Sequence, residues 1–196
     1  MQVSCLSREK VAQRITPGRI RWFHKEILEV RGPERMAVVR KRRVDGESLA
    51  PVILIHGFAQ NRYAWHLPER SFANHLADRG FDAFNVDLRG HGRSRELGSA
   101  AAGGVDDYIR GDLPALIDAV LAMTGHAKVF LVGHSLGGLC AAAAAALHPE
   151  RVAAVVTVGS PHALGEGHML LGGLLRVLGR TLGRSQLWRG SDWRIP

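Results

Sequence analysis

An apolar run, Lys128-Val129-Phe130-Leu131-Val132, passes directly into Gly133-His134-Ser135-Leu136-Gly137, and alanine fills every position from 141 to 146 shortly afterwards. The β-branched and aromatic run predicts a strand and the alanines predict a helix, which leaves a serine on the turn between them. A strand that reverses into a helix this abruptly is strained, and side chains two positions either side of the serine would collide. Gly133 and Gly137 remove those side chains. The arrangement fits a nucleophile elbow, with the Oγ of Ser135 held clear at the end of a sheet. A five-residue pattern is weak by itself. The strand before it, the helix after it and a second motif upstream make it specific.

The second motif is Pro51-Val-Ile-Leu-Ile-His56-Gly57-Phe58. A continuous apolar run of this length, closing at glycine, predicts a strand buried on both faces. If Ser135 attacks a carbonyl, the tetrahedral intermediate needs N–H donors for its oxyanion. The expected donors are the backbone N–H of Leu136, next after the nucleophile, and that of Phe58, in the loop after this strand. Gly57 lets the loop approach closely. His56 and His134 flank the site as supporting or packing residues, and Trp65 and Phe58 are candidates to line an acyl pocket. Asp87 and Asp112 are expected to serve loop hydrogen bonding and a helix start.

Around these motifs strands and helices alternate. Residues 22–30 and 35–39 predict two strands about a Gly32-Pro33 turn, after a polar lead-in over residues 1–17 that is irregular or helical. Helices are predicted over 68–79, with Phe72, Ala73 and Leu76 on one face, and over 112–123, ended by Gly125. Residues 95–105 form a Gly/Ala-rich loop. Residues 81–86 and 152–158 predict further buried strands. This pattern implies an α/β chain: a predominantly parallel sheet with helices on both faces.

Charge is uneven. Residues 1–50 carry 12 basic and 6 acidic groups, whereas residues 51–164 carry 9 and 10. The densest run, Arg40-Lys41-Arg42-Arg43, could attract phosphate or an acidic membrane surface, but without interleaved aromatics it reads as a solvated strand edge or turn, and nucleic acid is not an expected partner. Two cysteines, Cys5 and Cys140, make no disulfide framework. With no evident secretory signal and no apolar stretch of membrane-spanning length, the expectation is a cytoplasmic protein with reduced thiols. The histidines show no metal-ligand spacing, so neither a metal nor another cofactor is expected.

The motifs together resemble the α/β-hydrolase fold family. The resemblance rests on His56-Gly57-Phe58, the loop Asp87-x-Arg89-Gly90-x-Gly92-x-Ser94, the Gly133-His134-Ser135-Leu136-Gly137-Gly138 turn and His148-Pro149-Glu150-Arg151-Val152, in family order over roughly residues 22–162. It implies a serine hydrolase of the lipase and esterase kind, acting on a small acyl or ester substrate through an acyl-enzyme on Ser135. Family members that open epoxides or remove halides use an aspartate where this chain has Ser135. The segment from Asn61 to Ser71 also resembles the branch near polyester synthases, which makes acyl transfer an alternative; those enzymes carry a cysteine at the nucleophile position.

The family pattern further implies an acid and a histidine on loops after later strands. After Ser135 the only aspartate is Asp192, and no histidine follows it. His148 and Glu150 fall where a helix returns to the start of a strand, at the far edge of the sheet. His162 and His168 follow a strand end on the serine's edge and are the candidate bases, with Glu166 close to His168. The expectation is therefore the front of the family core over residues 1–164, closing before the last strands, and the start of a helical cap over 165–196. A catalytically inactive binding module is the other reading. Within the cap, residues 168–184 combine leucines with arginines at 176, 180 and 184, which fits a cap helix packed on the core, with a lid or a peripheral lipid contact as the alternative. Oligomeric state is left open.

Overall fold

Every residue of the strand Pro51–Ile55 is buried, so its alternating side chains have two faces to satisfy. Val52 and Leu54 pack with Trp65, Ala73, Ala83 and Val132. Ile53 and Ile55 pack on the other side with Phe84, Val86, Leu131, Leu116, Ile117 and Cys140. The computed structural model describes residues 2–161. Their elements are β1 (Gln2–Thr16), β2 (Arg19–Arg31), β3 (Arg35–Arg43), β4 (Pro51–Ile55), α1 (Phe72–Asp78), β5 (Asp82–Asp87), α2 (Gly92–Glu96), α3 (Leu113–Thr124), β6 (Val129–His134), α4 (Leu136–Leu147) and β7 (Val152–Val158), with a 3₁₀ turn at Arg62–Trp65 and a π-helical turn at Asp107–Asp112.

The strands form one sheet in the order β1-β2-β3-β5-β4-β6-β7. The strands β5, β4, β6 and β7 run parallel, while β1, β2 and β3 form an antiparallel meander that joins β5 antiparallel. Five strands therefore point one way, with β1 and β3 reversed. Helix α1 covers one face, and α3 and α4 cover the other. Ser71 caps α1 by accepting from Asn74 N–H, and Gly125, at φ 71°, closes α3 in the left-handed conformation.

Four expectations change. Residues 2–16 are neither helical nor irregular but a long strand paired along β2; β1 buries little beyond Ile15, so its sequence carries almost no apolar period. The basic run is not simply a solvated edge. Arg40 and Lys41 lie in β3 between β2 and β5, with Lys41 2% exposed, while Arg43 at the strand's end is exposed. Counter-ions from other strands make this possible: Arg40 holds Asp82 through Nε and Nη2 at 2.9 and 2.6 Å, and Glu26 through Nη1 at 3.1 Å. The strand β7 is exposed along most of its length apart from Val152, because it is the last strand of the sheet among the described residues. Phe72 is 41% exposed rather than inward, and stacks with His75 instead. Residues 162–184, including the candidate bases and the lid segment, lie outside the described residues.

Asp112 has a different role from the one expected. It makes no side-chain cap on α3. Its carboxylate instead takes two bonds from the buried Arg89 guanidinium, at 2.7 and 2.6 Å. A buried pair of this kind is costly to break from one side, since the surviving charge is left in a poorly solvated place. Replacing Asp112 by Ala is expected to lower the unfolding free energy by about 3–5 kcal/mol, read from the guanidinium chloride midpoint. The double change Arg89→Met with Asp112→Leu should recover most of that loss.

Candidate functional site

At the end of β6 the chain enters α4 within a single residue, and Ser135 absorbs the whole reversal with φ 50° and ψ −118°. An L-residue with positive φ is strained, so its surroundings must hold it there. They do so by contact. A Cβ on Gly137 would overlap the carbonyl oxygen of His56, and one on Gly133 would overlap the backbone of Gly137 and Gly138. The turn is also tied by hydrogen bonds: Ser135 N–H donates to Val158 O at 2.9 Å, and Gly138 N–H donates to Ser135 O at 3.0 Å. Leu136 opens α4, so its N–H is among the first four of a helix, which have no partner within that helix.

The loop after β4 lies against this turn. A Cβ on Gly57 would stand 2.9 Å from His134 Nδ1 and 2.9 Å from Gln60 Oε1. Gln60 Oε1 accepts from Gly57 N–H at 2.9 Å and lies 2.9 Å from His134 Nδ1. One side-chain oxygen thus joins the loop carrying Phe58 to the residue preceding Ser135. Ala59, beside it, has φ 55°. Phe58 is 54% exposed. Trp65 is buried, edge-on to His134 with ring centroids 6.5 Å apart, and packs on Phe72 at 5.6 Å.

His56 is fully buried and both its ring nitrogens are engaged. Leu88 N–H donates to Nε2 at 3.1 Å, so Nδ1 carries the proton and donates to Gly57 O at 2.8 Å. The imidazole therefore bridges the loops after β4 and β5. Burial, followed by repulsion from His91, pushes its pKa down to about 4. Asp87 is equally enclosed. It accepts from Arg62 N–H at 2.7 Å, from Arg93 N–H at 2.9 Å and from the Arg62 guanidinium. Its own carbonyl takes Ser94 O–H, and Ser94 Oγ accepts Ala37 N–H at 2.8 Å. The Asp87–Ser94 loop is thus braced beside the site through Asp87 and Ser94.

The structure brings together Ser135, Leu136, Gly133, Gly137, His134, Gly57 and His56 at one end of the parallel strands. It keeps His148 and Glu150 at the other end, where α4 returns to β7. His162 and His168 lie outside the described residues. Gln60 was not singled out by the sequence, and Arg62 entered only as part of the Asn61–Ser71 segment; the position of both in the loop that follows the β4 glycine is the signal that marks them. Among the described residues no group of three or more His, Cys, Asp and Glu is placed to hold a metal ion. None of the helices there is long and apolar enough to cross a membrane.

A serine on a strained strand-to-helix turn, facing a glycine-opened loop at the end of parallel strands, defines the class. The chain belongs to the α/β-hydrolase fold family, whose model matches residues 50–179. Similar curated proteins include a triacylglycerol lipase of Pseudarthrobacter phenanthrenivorans, 38% identical over 115 residues, covering 57% of this chain and 33% of that one. A pimeloyl-(acyl-carrier protein) methyl ester esterase of Aliivibrio fischeri is 35% identical over 118 residues, covering 60% of this chain and 39% of its own. Among solved structures, an epoxide hydrolase of Vigna radiata superposes with a TM-score of 0.55 at 26% identity, over 79% of this chain and 44% of that one. The match thus spans about a third of the length of these curated relatives.

Two outcomes follow from this geometry. His56 has a lowered folded-state pKa, so between pH 6.5 and about 4 the unfolded chain binds a proton that the folded chain does not. Its contribution to stability is present above pH 6.5 and is lost on acidification through that window, by up to about 3 kcal/mol. Nitrogen chemical shifts should show a neutral His56 ring at pH 5.5. Gly137→Ala is expected to destabilise by about 3 kcal/mol or more, since the colliding atoms are backbone; thermal unfolding tests this against Gly104→Ala, whose Cβ meets nothing within 4 Å and whose backbone is not left-handed.

Proposed function

We propose that the protein is a serine hydrolase of carboxylic esters or related acyl compounds, with Ser135 as nucleophile. The observation that carries this reading is the Ser135 turn itself, strained at φ 50° and followed at once by the first residue of α4. In the proposed reaction the Oγ attacks the substrate carbonyl while its proton passes to a base. The N–H groups of Leu136 and Phe58 receive the oxyanion, and the positive end of α4 adds to its stabilisation. Collapse of the intermediate expels the alcohol, which takes up that proton. Water then cleaves the acyl-enzyme by the same route and restores Ser135.

His56 is unsuited to be the base, with both nitrogens engaged and a ring that is neutral above about pH 4. His134 has Nδ1 against Gln60. The base in this reading is His162 or His168. The lipase and esterase names among the relatives support acyl chemistry. Likeness to epoxide hydrolases supports the fold, but a serine that opened an epoxide would form an ether, which water does not readily cleave. An acyl-enzyme has no such difficulty.

A fluorophosphonate probe should label the purified chain, and Ser135→Ala should abolish the label. The same change should lower the hydrolysis of a short p-nitrophenyl ester by about 10,000-fold or more. An unlabelled but cooperatively folding chain would overturn the assignment and favour a binding module.

A further inference from the structure

On the face of the sheet that α1 covers, a cavity of about 320 Å³ opens between β1, β2, β3, β5, the Arg62–Trp65 turn and α2. Its basic wall residues are Lys25, Lys41, Arg62 and Arg93, with His66 beside them, and none of the described residues that line it is acidic. Two of these cations have partners elsewhere: Lys25 on Glu9 at 2.6 Å, and Arg62 on Asp87. Lys41 has none among the described residues. Its ammonium donates to the neutral oxygens of Asn74, at 2.7 Å, and Gln13.

The third ammonium direction is poorly used. Lys41 Nζ lies 3.5 Å from His66 Nδ1 and 3.4 Å from Nε2. A point so evenly placed between the two nitrogens lies along neither nitrogen's in-plane lone pair. His66 Nδ1 is in any case taken by Ser71 Oγ at 2.6 Å. Burial and Lys25 push the Lys41 pKa down to about 7, and burial with Lys41 pushes that of His66 down to about 3. A buried ammonium without a counter-ion is costly, and an anion beside it removes the cost.

We infer that this cavity is a binding site for a small oxyanion, sulfate or phosphate in type, held by Lys41 and Lys25 with Arg62 and Arg93 supplying further positive field. Its volume sits at the lower end of small-molecule pockets, so the anion can be free or the head of a phosphomonoester. None of Ser135, Leu136 and Phe58 lines it, so it does not depend on the ester chemistry. Charge-assisted bonds to a tetrahedral anion are strong where water is excluded.

The test is isothermal titration of the whole chain at pH 6.5 with sodium sulfate and, separately, glycerol 3-phosphate, at constant ionic strength set with chloride. Saturable one-to-one binding is expected, with Lys41→Met weakening it about tenfold or more and Lys25→Gln by several-fold. Lys25 is partly solvated, so its variant keeps the test decisive if Lys41→Met fails to fold. Tighter binding of the phosphomonoester identifies an organic ligand, and equal binding identifies a free anion; both support the site. No saturable binding of either probe, or binding unchanged in Lys25→Gln and in a folded Lys41→Met, would overturn it.

Discussion

The close passage of the β6–α4 turn over the end of β4 is the contact on which the site depends. Without side chains at Gly133 and Gly137, backbone rests on backbone, and the carbonyl of His56 occupies the space a Cβ would need. That contact fixes the height of Ser135 above the sheet and places the first turn of α4 beside the loop of Phe58. It also explains why Ser135 can hold a positive φ without relaxing. Packed backbone has no flexible side chain through which strain could dissipate.

Around this contact several buried polar side chains hold loops in place. His56 donates with one nitrogen and accepts with the other, so a neutral ring joins two loops at no cost in buried charge. Asp87 carries its charge inward but meets three donors, two of them backbone N–H groups. Gln60 links the β4 loop to His134. Each of these side chains sets the position of a loop, and among the described residues none of them engages the Ser135 hydroxyl.

Local rules could be read from the chain, and distant compensation could not. The serine turn, the doubly buried β4 and the α4 alanines are all consequences of neighbours in sequence, where sterics and periodicity act over a few residues. The strand β1 was not legible because an edge strand that buries mainly Ile15 has no apolar alternation to display. The Arg40–Arg43 run misled for a related reason: its interior position depends on Glu26 and Asp82, which are 14 and 42 residues away from Arg40. Asp112 was similarly placed at a helix start by its neighbours and engaged by Arg89 across the fold.

The strand order carries a consequence for how the chain is made. The strands β1, β2 and β3 are contiguous in sequence and pair locally, so they can form a meander as soon as they leave the ribosome. The partner of β3 is not β4 but β5, which is translated some forty residues later. Throughout that interval β3 is an open edge, the kind of surface that recruits strands from other chains. Four consecutive cations stand along it, and such charges discourage that pairing. When β5 arrives, Asp82 closes onto Arg40 and the guard becomes an internal ion pair. The charges that stand along the unpaired edge are thus the same ones that brace the finished sheet.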